Sequence, residues 1–322
     1  MNEFEIIKHY FTADSGRKDV IMGPGDDCAL LQVPAQTLLA VSTDTLVSGV
    51  HFFADMEPSA LGHKALAVNL SDLAAMGADP RWVSLALTLP AVDEVWIKGF
   101  CAGFFELAEY YNVALVGGDM TRGPLSITVT VHGTLPEGKG LRRNGARIGD
   151  GIYVTGTLGD AALGLKAALG EARVPAAHLE FVRNKLEHPH PRILAGQALR
   201  DIASSALDIS DGLAGDLGHI VTASGVRAQL ELEQLPLSEA MLASVSREQA
   251  WQLALTGGDD YELCFTVPES HRGLLDTALS HCGVKFTRIG RLVPGEPGLE
   301  LLADGGPCEL DLHGWDHFRS RP

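Results

Sequence analysis

The sequence predicts an α/β or α+β protein made of two mixed domains, and three observations lead to this prediction. Strand-like and helix-like segments alternate along the whole chain, which is typical of folds that combine helices with sheets. The length of 322 residues corresponds to about two domains. Two turn-rich stretches, at residues 136–140 and 145–151, lie near the middle of the chain. They place the domain boundary at about residues 137–150.

The first domain, predicted as residues 1–137, alternates short strands with two long helices. Apolar residues recur at helical spacing over Pro58–Gly77 and from Asp93 to about Tyr111. Asp93 is expected to cap the second helix. The predicted strands are Lys18–Met22, Thr37–Thr43, Arg81–Leu89, Val113–Val116 and Leu125–Thr134.

The second domain, predicted as residues 150–322, continues the alternation. Pro191 is expected at the first position of a helix, where proline is favoured, and Asp211 is expected to cap another. The predicted strands are Ile152–Thr155, Ala206–Ile209, Arg227–Leu232, Tyr261–Val267 and Val284–Leu292. The predicted helices are Asp160–Leu169, Pro191–Ala203, Asp211–Ser224, Arg247–Leu255 and Gly273–His281.

The composition argues against several classes of protein. The chain carries 25 basic and 41 acidic residues, a formal charge of −16, whereas a nucleic-acid surface needs clustered Lys and Arg. No apolar run is long enough to span a membrane, and Met1–Glu5 lacks the pattern of a signal peptide. The five cysteines are scattered and form no C-x-x-C pair, which disfavours a disulfide framework or a thiolate zinc site. We therefore expect a cytoplasmic protein that binds neither nucleic acid nor membrane.

Aspartates recur beside glycines and at the ends of predicted strands. For any one of them, capping of a turn or helix is the simpler interpretation. Asp72 differs, because it lies among apolar neighbours of a helix, where a carboxylate without a partner is costly. Oxygen ligands alone favour Mg²⁺ over Zn²⁺. The pattern therefore predicts several Mg²⁺ ions in a site that handles phosphates. The positions are Asp26, Asp27, Asp44, Asp72, Asp119, Asp208, Asp211, Asp259 and Asp260.

Two further segments offer phosphate contacts. The chain has neither a P-loop motif nor the protein-kinase motif set. Residues 156–159, Gly-Thr-Leu-Gly, enter a predicted helix, where an anion site or a plain tight turn is possible, the turn being the simpler interpretation. Arg142 and Arg143 lie in the interdomain loop, and either a phosphate contact or a solvated charge fits them equally well.

Six segments together carry a family signature: residues 25–29, 42–46, 67–78, 117–119, 208–212 and 257–263. In this order they resemble the thiamine-monophosphate kinases, members of the superfamily of aminoimidazole ribonucleotide synthetase and selenophosphate synthetase. The similarity extends to residues 315–318. It implies that ATP donates its γ-phosphoryl group to thiamine monophosphate, giving thiamine diphosphate and ADP. It also implies a homodimer in which the N-terminal domains contribute strands to a shared barrel.

The resemblance also assigns residues. Asp259 departs from the family, which often has Glu there, and Met120 stands where Thr is usual. No residue is assigned as a general base, because the acceptor phosphate is already ionised near pH 7. The implied Mg²⁺ ligands are Asp27, Ser42, Thr43, Asp44, Asp72, Asp119, Asp208 and Asp211. The implied nucleotide-phosphate contacts are Gly118, Asp119, Arg143 and Ser210, and the implied thiamine contacts are His51, Asp259 and Trp315.

Alternative interpretations stay open at this point. A sister enzyme, such as aminoimidazole ribonucleotide synthetase, would share the ATP and metal residues but not the thiamine pocket. Selenophosphate synthetase is less favoured, because no reactive cysteine lies in a glycine-rich N-terminal loop. A nucleotide or metal sensor would bind ATP and Mg²⁺ without turnover.

Overall fold

The computed structural model describes residues 3–12 and 16–312, and in this part of the chain no helix is long and apolar enough to cross a membrane. The chain forms two compact units. The N-terminal unit runs to Leu73 and resumes over Ala78–Gly140, and the C-terminal unit comprises Ala74–Gly77 and the chain from Leu141 onward.

The N-terminal unit contains six strands and three helices among its described residues. The helices are α1 (Glu3–Ile6), which continues as a π-helical turn over Ile7–Phe11, α2 (Pro58–Ala75) and α3 (Glu94–Tyr110). The strands are β1 (Val20–Met22), β2 (Leu30–Leu31), β3 (Thr37–Val47), β4 (Asp79–Leu89), β5 (Ala114–Arg122) and β6 (Ser126–Pro136).

Four of these strands form one sheet in the order β3-β6-β4-β5, and β1 pairs with β2 in a small separate ribbon. Strand β3 is an edge strand that pairs antiparallel with β6 along its whole length, whereas β5 runs parallel to β4. Glycines allow α2 and α3 to cross closely. A Cβ atom at Gly62 would overlap the carbonyl of Phe100, and one at Gly103 would overlap that of Ser59.

The C-terminal unit contains seven strands and seven helices among its described residues. The strands are β7 (Gly151–Thr155), β8 (Ser205–Asp208), β9 (Arg227–Glu231), β10 (Leu263–Val267), β11 (Phe286–Val293), β12 (Gly298–Ala303) and β13 (Gly306–Cys308). The helices are α4 (Asp160–Ala168), α5 (Ala176–Glu187), α6 (Ile193–Leu199), α7 (Leu213–Ser224), α8 (Glu239–Ser244), α9 (Arg247–Thr256) and α10 (Leu275–Leu279). Short 3₁₀ turns cover Leu232–Gln234 and Glu269–Leu274.

The seven strands form one mixed sheet in the order β13-β12-β9-β11-β7-β10-β8. The inner strands β7 and β10 and the edge strand β8 are buried over their whole length. Helix α7 packs against this sheet through Leu213, Leu217 and Ile220, which are fully buried and belong to the core of the unit. The predicted fold class, two mixed α/β halves, is confirmed.

Several predicted boundaries need correction. Helix α6 begins at Ile193 with Arg192 as its N-cap, so Pro191 lies before the helix and not at its first position. Helix α7 begins at Leu213 with Gly212 as its N-cap, so Asp211 is not the cap. The sequence patterns gave no prediction for α1, β2, α5, α8, β12 and β13. Asp93 does cap α3, because its carboxylate accepts the amides of Val95 and Trp96.

Candidate active site

The N-terminal unit contains a cavity of about 650 Å³ that two of the aspartate motifs line. One wall is the loop after β1, residues 23–29, and another is the stretch of β5 from Leu115 to Met120. Asp26, Asp27 and Asp119 all line the cavity and are exposed. The structure therefore brings together the Gly25-Asp26-Asp27 and Gly117-Gly118-Asp119 motifs, which are about 90 residues apart in the sequence.

A β-bulge sets the position of Asp119. The parallel register between β4 and β5 pairs Val83 with Leu115 but Ser84 with Gly117, so Val116 is the extra residue. At the next position a Cβ atom on Gly118 would overlap the carbonyl of Leu85, so β5 can approach β4 this closely only with glycine there. The close packing of β5 against β4 therefore explains why residue 118, at the edge of the cavity, is a glycine.

A second group of predicted ligands meets where α2 packs against β3. The hydroxyl of Ser42 donates to a carboxylate oxygen of Asp72 over 2.5 Å. One turn earlier on α2, the Asn69 side chain accepts the backbone amide of Asp44 at 3.0 Å. Asp72 thus has a hydrogen-bond partner on β3, which offsets part of the cost of placing a carboxylate among apolar neighbours. Asp44 itself is exposed.

Thr43 and His51 occupy different surroundings. The Thr43 hydroxyl is 2.8 Å from that of Thr130 on β6, on the opposite face of β3 from Ser42 and Asp44. Its hydroxyl therefore does not join the Ser42–Asp72 pair. The Nδ1 atom of His51 accepts the amide of Val47 at 2.9 Å, which closes the turn after β3. His51 has a local structural role whatever else it contacts.

In the C-terminal unit the motifs at residues 208–212 and 257–263 lie side by side. The amide of Asp259 donates to the carbonyl of Ser210 at 2.9 Å, and the amide of Tyr261 donates to that of Ile209 at 2.8 Å. The amide of Ile209 in turn donates to the carbonyl of Glu262 at 2.8 Å. These bonds join the segment that follows β8 to the segment that precedes its antiparallel neighbour β10. Asp208 ends β8 and is 7% exposed, whereas Asp211 is exposed.

Asp216, which the sequence analysis missed, holds the Ser210–Asp211 turn. Its carboxylate accepts the amides of Ser210 at 3.0 Å and Asp211 at 3.1 Å, and the residue is 5% exposed. Burial is the main reason why the pKa of Asp216 rises to about 6, and the charge of Asp211 adds to the rise. The available signal was an aspartate in the first turn of an otherwise apolar helix.

Arg143 lies close to this turn. The carbonyl of Arg142 accepts the amide of Ala206 at 3.0 Å, and the carbonyl of Arg143 accepts the hydroxyl of Ser224 at 3.3 Å. These bonds fix the loop beside β8 and the end of α7. The positive charge of Arg143 is near enough to oppose the rise in the Asp216 pKa. The structure therefore places Arg143, Ser210 and Asp211 in one region of the C-terminal unit.

The turn at residues 156–159 is occupied by a carboxylate of the chain itself. The amide of Gly159 donates to both oxygens of Asp260, at 3.0 and 2.8 Å. Burial raises the pKa of Asp260 well above its ordinary value. The tight-turn interpretation of this segment is supported, and the amide that an external anion would need at the start of α4 already has its acceptor.

Asp259 is half-buried and has a φ of 69°, a left-handed conformation that is uncommon outside glycine. One of its carboxylate oxygens accepts the hydroxyl of Tyr261 at 3.1 Å. Trp315, the third predicted thiamine contact, lies outside the described residues. Met120 is buried and lines the cavity of the N-terminal unit.

The predicted metal ligands fit Mg²⁺ in their chemistry, because all offer oxygen atoms and several of the carboxylates are exposed. Over residues 3–12 and 16–312, no three His, Cys, Asp or Glu side chains converge as a ready-made metal site. Mg²⁺ is usually held by one or two carboxylates together with waters and substrate phosphates. Two exposed carboxylates that line one cavity, such as Asp27 and Asp119, are compatible with that mode of binding.

Comparisons with known proteins agree with these motifs. A family model for the N-terminal domain of AIR synthase related proteins matches residues 25–135, and the C-terminal domain model matches residues 147–301. The thiamine-monophosphate kinase of Escherichia coli K12 is 55% identical over 318 residues, 98% of each chain. The chain belongs to the thiamine-monophosphate kinase family.

Solved structures extend this similarity. The thiamine-monophosphate kinase of Stenotrophomonas maltophilia K279a is 45% identical, with a TM-score of 0.87 over 96% of this chain and 98% of the other. A family structure described as AaThiL complexed with AMPPCP and TMP is 31% identical, with a TM-score of 0.77 over 98% and 96%. Escherichia coli HypE, a hydrogenase maturation protein, is 20% identical with a TM-score of 0.76 over 98% and 97%, and shares the fold.

Proposed function

We propose that this chain transfers the γ-phosphoryl group of ATP to thiamine monophosphate, giving thiamine diphosphate and ADP in the synthesis of that cofactor. The observation that carries the proposal is the cavity of the N-terminal unit, in which the exposed carboxylates of Asp27 and Asp119 lie beside Gly118. The family relationship over nearly the whole chain supports the choice of substrates.

The chemistry needs positioning more than proton transfer. The acceptor is a phosphate whose second pKa is about 6, so its oxygen is already ionised near pH 7. The barrier comes largely from bringing two polyanions together in line, and direct transfer needs no covalent enzyme intermediate. The chain carries a formal charge of −16, and the proposal includes Mg²⁺ as a source of positive charge beside the phosphates.

Several Mg²⁺ ions would neutralise the phosphate charges when bound. Their proposed ligands in the N-terminal unit are Asp27, Ser42, Thr43, Asp44, Asp72 and Asp119, and those in the C-terminal unit are Asp208 and Asp211. Because the Thr43 hydroxyl bonds with Thr130 on the other face of β3, its backbone carbonyl is the better candidate donor. The Ser42 hydroxyl keeps Asp72 oriented.

Gly118, Asp119, Arg143 and Ser210 are the proposed nucleotide-phosphate contacts. Gly118 suits this role because it has no side chain at the cavity edge. Arg143 would bind a phosphate through its fork of N–H donors. The Asp216 carboxylate restrains the amides of Ser210 and Asp211, so the Ser210–Asp211 turn is held ready before any ligand arrives.

His51, Asp259 and Trp315 are the proposed contacts for thiamine monophosphate. Asp259 would offer a negative charge to a cationic substrate, and its shorter side chain would reach about one methylene less far than the usual Glu. A bridging water would make up that distance. Trp315 would stack on the cationic thiazolium or on the pyrimidine, an interaction worth about 0.5–2 kcal/mol.

Residues 1–137 are proposed as the ATP- and Mg²⁺-binding and dimerisation domain, and residues 150–322 as the second α/β domain. Support for a homodimer comes from the edge strand β3, on which Leu38, Leu39 and Val41 are exposed. An exposed apolar edge strand is a natural pairing site for a second chain. A cytoplasmic location fits the five cysteines, all of which are free thiols.

The testing experiment is a coupled assay for ADP release with purified protein, ATP and Mg²⁺, with and without thiamine monophosphate. We expect ADP release that depends on this acceptor, with thiamine diphosphate as the product. ATP binding without acceptor-dependent release would contradict the proposal. It would favour a sister enzyme if another phosphate acceptor restored turnover, and a sensor if none did.

A further inference from the structure

The segment from Asp259 to Glu262 holds an unusual backbone beside the proposed thiamine contact. Asp259 and Tyr261 have φ values of 69° and 49°, both in the left-handed region that side chains other than glycine disfavour. Two such residues in four persist only where surrounding contacts over-determine the conformation. The contacts around this segment therefore hold its backbone in this conformation.

Glu262 provides the strongest restraint. It is 1% exposed, and its carboxylate accepts the hydroxyl of Thr155 at 2.7 Å and Nε of Arg192 at 2.6 Å, with Nζ of Lys185 at 3.6 Å. Two cations and a hydroxyl compensate the burial of its charge, and a carboxylate held in this way has little freedom to move. A Cβ atom on Gly156 would overlap this carboxylate, so glycine at that position makes room for it.

The backbone connects this anchor to Asp259. The carbonyl of Glu262 accepts the amide of Ile209, and the amides of Tyr261 and Asp259 donate to the carbonyls of Ile209 and Ser210. The Tyr261 hydroxyl then donates to Asp259 at 3.1 Å. A shift of Glu262 would therefore loosen this short ladder and the orientation of the Asp259 carboxylate together.

We propose that Glu262, through its buried pairing with Arg192 and Lys185, is a positioning residue that orients Asp259 for the thiamine substrate. The proposal rests on the function proposed above. It separates the two acidic residues of this motif: Asp259 would contact the substrate, whereas Glu262 would act only through Asp259. Tyr261 is the direct link between their positions.

The test is a double-mutant cycle of Glu262→Gln and Asp259→Ala, with KM for thiamine monophosphate and for ATP measured separately. We expect Glu262→Gln to raise KM for thiamine monophosphate about tenfold and to leave KM for ATP within about twofold. In the Asp259→Ala background the same change should have little further effect, because residues that act as a unit are not additive. Full additivity of the two changes, or an unchanged KM in Glu262→Gln, would overturn the proposal.

Glu269→Gln is the matched control. Glu269 is also a carboxylate of the C-terminal unit beside two arginines, with Arg272 at 3.2 Å and Arg288 at 3.7 Å, but it is exposed. We expect this variant to keep both KM values. If Glu262→Gln fails to fold, Tyr261→Phe replaces it in the cycle, since it removes only the hydroxyl that bonds with Asp259. An expected threefold rise in KM for thiamine monophosphate should likewise vanish in the Asp259→Ala background, and its persistence there would count against the proposal.

Hydrogen exchange supplies a readout independent of turnover. In Glu262→Gln the amides of Asp259 and Tyr261 should exchange about tenfold faster than in the wild type, whereas Glu269→Gln should leave them unchanged. Unchanged protection in Glu262→Gln would overturn the proposal even if the wild type proved inactive. A wild type without acceptor-dependent ADP release would instead refute the proposed function, so the two failures are distinguishable.

Discussion

Three carboxylates of the N-terminal unit and two of the C-terminal unit have opposite surroundings. In the N-terminal unit Asp27, Asp44 and Asp119 are exposed, and two of them line a cavity. In the C-terminal unit Asp216 and Glu262 are buried and accept hydrogen bonds from donors of the chain itself. A carboxylate that the fold has already satisfied serves structure first, whereas an exposed one beside a cavity remains available to a ligand. Motif membership alone does not separate these two roles.

The comparison predicts that removing a buried carboxylate affects stability before it affects binding. Glu262→Ala removes the buried carboxylate of this cluster and leaves the half-buried side chains of Arg192 and Lys185 without its charge beside them. We expect the free energy of unfolding to fall by about 3–5 kcal/mol, as for other broken buried ion pairs. Urea denaturation followed by circular dichroism measures this loss.

The control is Glu269→Ala, which breaks exposed ion pairs in the same unit. We expect it to cost less than about 1 kcal/mol. Equal losses in the two variants would show that burial does not distinguish these carboxylates.

An exposed carboxylate of the N-terminal unit should give the reverse result. Asp119→Asn, and equally Asp44→Asn, removes a negative charge from the proposed metal and phosphate site without breaking a buried contact of the core. We expect kcat to fall by about 10²–10³, the usual cost of losing one electrostatic contact to the transition state. The melting temperature should not change.

Steady-state kinetics and a thermal melt on the same preparations test this expectation. Glu106→Gln is the control, because Glu106 is an exposed carboxylate on α3 that does not line the cavity. Turnover like that of the wild type in Asp119→Asn would argue against its assignment as a ligand. A lowered melting temperature would mean that Asp119 stabilises the fold, as the buried carboxylates of the C-terminal unit do.

Two adjacent glycines at the cavity edge also differ in their surroundings, although they belong to one motif. Gly118→Ala forces a Cβ atom into the carbonyl of Leu85, whereas a Cβ atom on Gly117 has no neighbour within 4 Å. We expect Gly118→Ala to lose about 1–3 kcal/mol of stability from overpacking. Gly117→Ala should stay within about 0.5 kcal/mol of the wild type. Similar losses in both variants would mean that the close approach of β5 to β4 is not what requires glycine.

Local patterns in the sequence predicted most of the fold. The long helices α2 and α3 and the alternating strands of the N-terminal unit have strong periodicity, and their ends differ from the prediction by only a few residues. Helix α8 and strand β13 were missed because they are only 6 and 3 residues long, too short to show a period. Helix α5 was missed although six of its twelve residues are apolar, and only Val182 and Leu186 of them are buried.

The site was predicted less completely, because its supporting contacts join distant parts of the chain. Asp260 binds the amide of Gly159, 101 residues away, and Glu262 binds Thr155, 107 residues away. No spacing rule links such pairs in a single sequence. The prediction that Asp211 caps α7 was wrong because a different carboxylate holds the turn before this helix. Asp216, reaching back from inside the helix, accepts the amides of Ser210 and Asp211 and leaves the N-cap position to a glycine.

The smallest expected effect is the pH dependence of stability, which directly tests the buried carboxylate of Asp216. The pKa of Asp216 is raised by burial from 3.8 to about 6, so the folded protein takes up this proton at a higher pH than the unfolded chain. The stabilisation that follows is complete below about pH 4 and is lost as the pH rises through 6. The whole difference corresponds to roughly 3 kcal/mol, of which roughly 1 kcal/mol falls between pH 5 and 7.

Asp216→Asn isolates this contribution, because an amide oxygen can still accept the Ser210 and Asp211 amides but does not titrate. In metal-free buffer, the free energy of unfolding of the wild type should fall by roughly 1 kcal/mol relative to the variant between pH 5 and 7. Denaturation curves of both proteins at each pH measure the difference, in which the titration of other groups cancels. A flat difference, or one of opposite sign, would mean that Asp216 keeps an ordinary pKa.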